Sequence, residues 1–449
     1  LETELEKLSI FEEVSLRISN NPSFDFQINN LVKFQNHQDI NDIKESFSEI
    51  IKNDSSIKSF EISKNYFMNI EIDIDSFIHN FDKTRENIKV KNQKTIIFDY
   101  GGPNIAKPLH VGHLRSLNIG RSLYQINKLA GHNVLSDIHM GDWGMPVAQI
   151  ITYIEEKGID LNKITIDDLE KIYPEASKLY TDDDDFKTLA QSVNKNLNND
   201  QPEELKKWKK LKKITTESIK ETLKVFNYKF DLWMGESDVN HLIPEMIEKL
   251  ISNKKISLNE GAYVSNLETD PKIIITKSDG SYLYLTTDLG TVLNRIKQFN
   301  FDKTIYIVDK RQKLHFEQLF ACIDFFEFGK KSYEHVAFGT VNDAKGNPFK
   351  TREGGAKKLI DLFEDTLIKI KDINEELDIK TVGLLANTVL TFSDLITNRM
   401  TDYKFDLEKF TNISGKTGIY VQYALVRAKK LIKTSKVNIN EITLNISKF

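Results

Sequence analysis

A lone cysteine, Cys322, stands in a chain of 449 residues, so no disulfide framework and no multi-cysteine metal site is available. Such sparing use of cysteine suits a reducing compartment, and the expected location is the cytoplasm. Long apolar runs are missing too. None approaches the roughly 20 residues that cross a bilayer, and nothing at the start reads as a signal peptide, so no membrane partner is expected. Nor is there an excess of one charge. Lys and Arg number 62 against 66 Asp and Glu, a net charge of −4. That balance argues against a generally basic, nucleic-acid-coated surface but leaves local patches free to bind RNA. Internal repeats and low-complexity linkers are absent. What is present is enough apolar material, 40% of the residues, for true cores, and a length that predicts about three domains. Asn, Lys and Ile abound throughout, a mark of a biased genome more than of function. The chain opens on Leu1 and not on methionine, which suggests a processed or missing start.

Apolar spacing divides the chain. Residues 1–90 read as a small α+β unit. Over 38–52, Ile40, Ile43, Phe47 and Ile51 recur at spacings of three and four, which predicts a helix, and residues 60–74 alternate as a strand pair would. Residues 95–100 (TIIFDY) read as a strand and GGPNIAKP as a loop. The next stretch reads as a helix with Ile119, Leu123, Ile126 and Ala130 on one face. Strand, glycine-containing loop and helix resemble the opening of a nucleotide-binding α/β unit. Residues 151–230 are polar, helical in pattern and charged in blocks: Asp182–Asp185 is acidic and Lys206–Lys213 (KKWKKLKK) basic. A solvated helical insertion and an RNA-facing basic helix are both open readings. Apolar strands are predicted again at 273–276, 282–285 and 304–308, as when an α/β core resumes after an insertion. From Thr381 the pattern is helical to near the end.

His110-Val111-Gly112-His113 follows Pro108 at the predicted helix N-terminus. Residues three apart on a helix share a face, so both imidazoles could point the same way. Gly112 would admit a flat ring or phosphate close to the backbone, and the helix N-terminus favours negative charge. Two such donors could stabilise charge building on a phosphate. A surface histidine pair or a metal pair would show the same spacing.

The surrounding residues narrow the choice. The stretch FDYGGPNIAKPLHVGHLRS (98–116) resembles the signature of class I aminoacyl-tRNA synthetases in its arginine-specific form, with Pro-Asn before Ala-Lys-Pro as the arginyl detail. HMGDWG (139–144), FDLWMGES (230–237), YLTTDLG (284–290), VDKRQKLH (308–315) and PFKTREGG (348–355) follow in that family's order, and TGIYVQYALVRA (417–428) is similar to the start of its helical anticodon-binding domain.

The resemblance implies a doubly wound, parallel-sheet (Rossmann-type) α/β catalytic domain over 91–380, with a helical insertion at about 151–230. It implies an additional domain over 1–90 that touches the tRNA elbow, and an incomplete anticodon-binding domain over 381–449. Relatives continue well past the Tyr-Val-Gln-Tyr stretch, so a truncated chain is expected. The implied reaction joins L-arginine to tRNA(Arg). Arginine carboxylate attacks the α-phosphate of ATP, which brings Mg2+, and arginyl-adenylate then passes to the terminal ribose, the family's preference being the 2′-OH. No protein-bound structural metal and a monomeric state are expected.

Site residues carry over one by one. His110, Gly112 and His113 are expected at ATP, with Lys107 adding positive charge at the triphosphate. The mobile loop usually reads Lys-Met-Ser-Lys-Ser; here Pro348-Phe349-Lys350-Thr351-Arg352 stands in its place, leaving Lys350 and Arg352 to contribute. A planar guanidinium is best met by carboxylates, and Glu236 and Asp288 occupy the matching positions, with Tyr284 as a hydroxyl partner. Asp99, Asn104 and Gln312 match the contacts to the amino-acid head group; the family more often has Glu where Asp99 stands. Read without the resemblance, Asp288 would be a helix cap, Glu236 part of a solvated turn and Trp143 a core or turn aromatic. Two other classes stay open. A non-catalytic relative would be marked by loss of His110, His113 or the pocket carboxylates. Another adenylate-forming enzyme would be shorter and would lack GDWG and PFKTREGG. A cysteine-specific synthetase would need zinc-ligand cysteines.

Overall fold

Alternating apolar residues near the start build a sheet, and one amphipathic helix covers it. In this computed structural model the described residues are 16–19, 21–34, 40–77, 88–278, 280–347 and 356–435. The chain divides into two units, Leu1–Val90 with Ile432–Phe449, and Lys91–Leu431. In the first, strands β1 (Leu16–Ile18), β2 (Phe26–Ile28), β3 (Ile57–Ile62) and β4 (Met68–Ile72) form an antiparallel sheet in the order β1-β2-β4-β3. Helix α1 (Ile40–Lys52) buries Ile43, Phe47 and Ile51 with Ile28, Met68 and Ile70 of the strands.

The second unit is organised by a four-stranded parallel sheet in the order β11-β10-β5-β6, made of β5 (Thr95–Tyr100), β6 (Asn133–Asp137), β10 (Lys303–Ile307) and β11 (Ser332–His335). Ile96 to Tyr100 of β5 are all buried, as a central strand covered on both faces requires. Helix α2 (His113–Leu129) carries the chain from β5 to β6 on one side, whereas β10 pairs with the other side of β5. The connections reverse there, and the crevice at the carboxyl ends of β5 and β10 is where such sheets bind ligands. Apolar burial along α2 differs from the expected stripe. Leu114, Leu117 and Ile119 are buried, but Ile126 is 60% exposed, because only the N-terminal half of the helix is covered.

Helices α3 (Met145–Glu156), α4 (Ile166–Asp182), α5 (Asp184–Asn198) and α6 (Pro202–Val225) form the insertion around Val147, Ile151, Leu169, Phe186 and Leu211. Its acidic run has a local use: Asp183 caps α5 by accepting from the backbone of Asp185 and Phe186. After α7 (Ile243–Ser252), strands β7 (Ile256–Asn259), β8 (Ala262–Ser265) and β9 (Ile274–Thr276) form a separate antiparallel sheet. The apolar run at 273–276 is therefore a strand but does not resume the parallel core. The run at 282–285 is not a strand. Tyr282 makes a single bridge to Thr276, and helix α8 (Tyr284–Gln298) begins at Tyr284. Leu285, Leu289 and Val292 fall on one buried helical face, and that longer periodicity prevails over the short apolar run.

Helix α9 (Lys313–Phe325) joins β10 to β11. Beyond β12 (Val341–Asn342), helices α10 (Leu359–Ile373) and α11 (Ile379–Leu395) add Leu362, Val382 and Val389 to the core under the sheet. Strand β13 (Tyr403–Lys404) pairs with β12, and α12 (Leu407–Phe410) and α13 (Gly418–Ser435) follow. Among the described residues no helix is long and apolar enough to cross a membrane.

Candidate active site

Gly112 caps α2, and only His113 of the histidine pair lies within the helix; His110 sits in the turn before it. The two rings still meet, with centroids 4.0 Å apart. The His110 backbone N–H donates to His113 Nδ1 at 3.0 Å, and the Gly112 N–H donates to His110 Nδ1 at 3.1 Å. The Gly112 contact assigns the His110 ring proton to Nε2, whereas His113 Nδ1 also lies 3.2 Å from the His110 carbonyl, to which it donates in the other tautomer. A Cβ on Gly112 would come within 2.8 Å of the His110 ring, so what the missing side chain admits is that ring. Burial pushes His113 down to about 3 and also lowers His110. Both are therefore neutral donors at neutral pH, not cations. No side chain caps the α2 N-terminus, but its first backbone N–H groups are engaged, His113 donating to the His110 carbonyl at 2.9 Å and Leu114 to the Val111 carbonyl at 3.0 Å, so what it offers an anion is the field of the helix end.

These residues line a cavity of about 570 Å³ at the sheet crevice, together with Asp99, Gly101, Asp309, Arg311, Asn342 and Lys357. Ser116 fastens the crevice: its hydroxyl accepts from the Gly101 N–H and donates to the Ile307 carbonyl, both at 2.8 Å. Segment 357–359 runs against the histidine turn, with Val111 N–H donating to the Lys357 carbonyl at 2.9 Å.

A second cavity, of about 450 Å³, is lined by Asn104, Lys107, Trp143, Tyr173, Glu236 and Tyr284, among others. The loop 101–108 touches both cavities. At its tip Ala106 takes a positive φ of 61°, held by a buried hydrogen bond from its N–H to Thr215 of α6 at 2.9 Å. Glu236 makes no ion pair among the described residues. Burial pushes its carboxyl up to about 7; His139 opposes the rise, and Asp288 and Asp142 add to it. A carboxylate left so poorly compensated calls for a cation.

Beneath the crevice lies a buried cluster. Arg295 is fully buried, and its Nη2 lies 2.5 Å from Asp99 and 2.6 Å from Asp137. His139 Nδ1 stands 3.7 Å from Asp137, and its Nε2 is 3.3 Å from the Thr291 hydroxyl. Burial alone would strip the His139 proton, but Asp137 pushes its pKa up to about 9; Asp137 is held well below the usual carboxylate range despite burial. Asp99, Asp137 and His139 are close enough to share a metal ion, yet the Arg295 guanidinium already bridges the two carboxylates. Two acids meet two bases.

Not every expected residue converges. Asp288 and Gln312 line neither cavity. Asp288 is not a helix cap but lies one turn inside α8, where its Oδ2 is 2.6 Å from His315 Nε2. Gln312 is exposed at the start of α9. Lys107 lines the second cavity and not the first, with its ammonium 4.0 Å from the Tyr173 ring centroid. Lys350 and Arg352 lie outside the described residues. The sequence motifs assign no role to Arg295, His139 or His315, although for Arg295 one signal is present. Tyr284, Asp288, Thr291 and Arg295 recur at i, i+4, i+7 and i+11, a polar stripe along one face of α8.

Comparison with known proteins shows the family. Residues 75–407 match the family described as tRNA synthetases class I (R), catalytic domain. An arginine–tRNA ligase of Francisella tularensis subsp. holarctica is 36% identical over 416 residues, 87% of this chain and 71% of that relative. Another, from Agathobacter rectalis, is 36% identical over 435 residues, 87% of this chain and 72% of that one. Solved arginyl-tRNA synthetases share the fold. The one from Plasmodium falciparum has a TM-score of 0.76 at 24% identity, covering 98% of this chain and 81% of that one. The Thermus thermophilus enzyme has a TM-score of 0.72 at 16% identity, covering 98% and 82%.

Proposed function

This chain belongs to the arginine-specific class I tRNA synthetases and activates L-arginine with ATP to charge tRNA; we propose that its two cavities divide that work. ATP, with its magnesium ion, occupies the crevice cavity, and its phosphates lie toward the uncapped N-terminus of α2. His110 and His113 donate from Nε2 to the α-phosphate as charge builds on it. Arginine occupies the second cavity with its guanidinium at Glu236 and Tyr284 and its head group near Asn104 and Asp99. Its carboxylate oxygen attacks the α-phosphorus, the bond to the bridging oxygen breaks, and pyrophosphate leaves. The terminal ribose hydroxyl of tRNA then takes the arginyl group from the adenylate, releasing AMP. Catalysis is positioning plus electrostatic stabilisation, with no covalent enzyme intermediate. Lys107, Lys350 and Arg352 contribute positive charge to the triphosphate, Lys107 after leaving the Tyr173 face. Asp288 and Gln312 join when α8 and α9 close on bound arginine.

The observation that carries this division is the single loop 101–108, which touches both cavities, so nucleotide and amino acid would meet across it. Arginine-dependent pyrophosphate exchange, with tRNA present, tests it. Glu236→Ala should lower kcat/KM for arginine at least about tenfold, since removing the partner of a desolvated charge costs 2–5 kcal/mol. Lysine should remain a poor substrate, because an ammonium cannot engage carboxylates as a planar fork does. Near-normal arginine activation by Glu236→Ala would remove this residue from the pocket.

A further inference from the structure

The basic run 206–213 is neither wholly solvated nor wholly outward-facing. Lys206, Lys209 and Lys213 are exposed, whereas Trp208 and Lys212 turn toward the loop that follows β6. Trp208 Nε1 donates to the Asp142 carbonyl at 2.8 Å. Lys212 Nζ lies 2.6 Å from Asp142 Oδ2 and donates to Ser237 Oγ at 2.9 Å. Its ammonium also stands 5.2 Å from the Trp208 ring centroid. Asp142 itself is fully buried.

Both oxygens of that carboxylate are engaged by the residue after Glu236. Oδ1 accepts from the Ser237 N–H at 2.9 Å and Oδ2 from the Ser237 hydroxyl at 2.7 Å. The Glu236 N–H donates to the Met140 carbonyl at 3.0 Å. On the other side Gly235 packs so closely that a Cβ there would fall 2.6 Å from Asp142 Oδ1. Glu236 is thus held by its backbone on both sides against residues 140–142. Lys212 is the only cation among the described residues that forms an ion pair with Asp142. Without it a buried carboxylate would lose its counter-charge, and the clamp would lose two of its three bonds at Oδ2 and Ser237 Oγ.

We infer that Lys212 is a positioning residue for arginine recognition: from the insertion helix it holds Asp142 and Ser237, and through them the orientation of Glu236. This rests on the reading that Glu236 meets the guanidinium. Lys212 lines neither cavity. The far half of the basic run therefore serves the amino-acid pocket, and the arginine site is completed by the helical insertion and not by the sheet alone.

Pyrophosphate exchange with tRNA present, following arginine and ATP separately, tests the inference. Lys212→Met should raise the arginine KM about tenfold, with the ATP KM changed less than about twofold. Lys212→Arg should recover most of the loss, and the exposed Lys213→Met should behave as the parent. Ser237→Ala, which keeps the Lys212–Asp142 pair, should shift the arginine KM in the same direction by a smaller factor, and it decides the matter if Lys212→Met does not fold. An unchanged arginine KM in the folded variants, or equal rises for arginine and ATP, would overturn the inference. Glu236→Gln run in parallel separates the two ideas. If that variant too leaves the arginine KM unchanged, the reading of Glu236 fails; if it alone raises the KM, only the role of Lys212 fails.

Discussion

Arg295 meets Asp99 at 2.5 Å across 196 residues of sequence, and both side chains lie inside the protein. The same nitrogen reaches Asp137 at 2.6 Å, so one guanidinium joins the ends of β5 and β6. Neither carboxylate has another arginine or lysine within ion-pair range among the described residues.

Removing one partner from such a cluster leaves buried charge uncompensated. Arg295→Met should cost roughly 3–5 kcal/mol of stability, seen as a lower urea midpoint, and Arg295→Met with Asp137→Asn should recover part of it. An unchanged midpoint in the single variant would mean that the cluster does not hold the strands.

His139 adds a pH dependence to the same cluster. Its pKa of about 9 in the fold exceeds the ordinary 6.5. Its contribution to stability is therefore fully present below 6.5 and is lost as pH rises through about 9. His139→Gln should flatten the stability profile between these values. Equal slopes in parent and variant would refute the linkage.

Glu236 titrates in the opposite sense. Raised to about 7 from 4.5, it makes the folded chain bind more protons than the unfolded one between those values, so this residue lowers stability as pH rises through that window. A guanidinium requires the anion. Arginine binding should thus release a proton below about pH 7, and the arginine KM should climb as pH falls further. Calorimetry in buffers of different ionisation enthalpy measures the release, which Glu236→Gln should abolish while stabilising the protein at pH 8.

His110 and His113, both neutral, should matter most to the transition state. His113→Asn should lower kcat for pyrophosphate exchange by about a hundredfold with little change in the ATP KM. With His113 held near 3, the kcat profile between pH 5 and 9 should show no step that disappears in this variant. A large rise in the ATP KM at normal kcat would assign the ring to ground-state binding.

His315 holds Asp288 at 2.6 Å. If Asp288 turns to the guanidinium during closure, His315 orients it, and His315→Ala should raise the arginine KM several-fold, while His315→Gln, which keeps a donor, should restore much of it. Equal effects of the two variants would point to lost packing.

Contiguous residues are legible in the sequence. The strand 95–100, its loop and the histidine turn are local, and each residue type there answers a short-range demand: burial on two faces, a close approach, an uncapped helix end. The first unit's helix followed from apolar spacing in the same way. Periodicity failed at 282–285, where four apolar residues fit strand and helix equally well and only the packing of Leu285, Leu289 and Val292 decided. It also failed on α2, because a repeat shows which face is apolar but not how much of the helix is covered. Charge pairing lay further out of reach. Nothing in the sequence near Lys212 shows that it will meet Asp142 rather than water, or that Arg295 will lie under Asp99, because those contacts join residues 70 and 196 positions apart. Local patterns determined the elements and the motif family. Only the folded chain, by bringing distant charges into a medium that cannot screen them, decided that Asp99, Asp137 and Asp142 each meet a cation while the carboxyl of Glu236 makes no ion pair among the described residues.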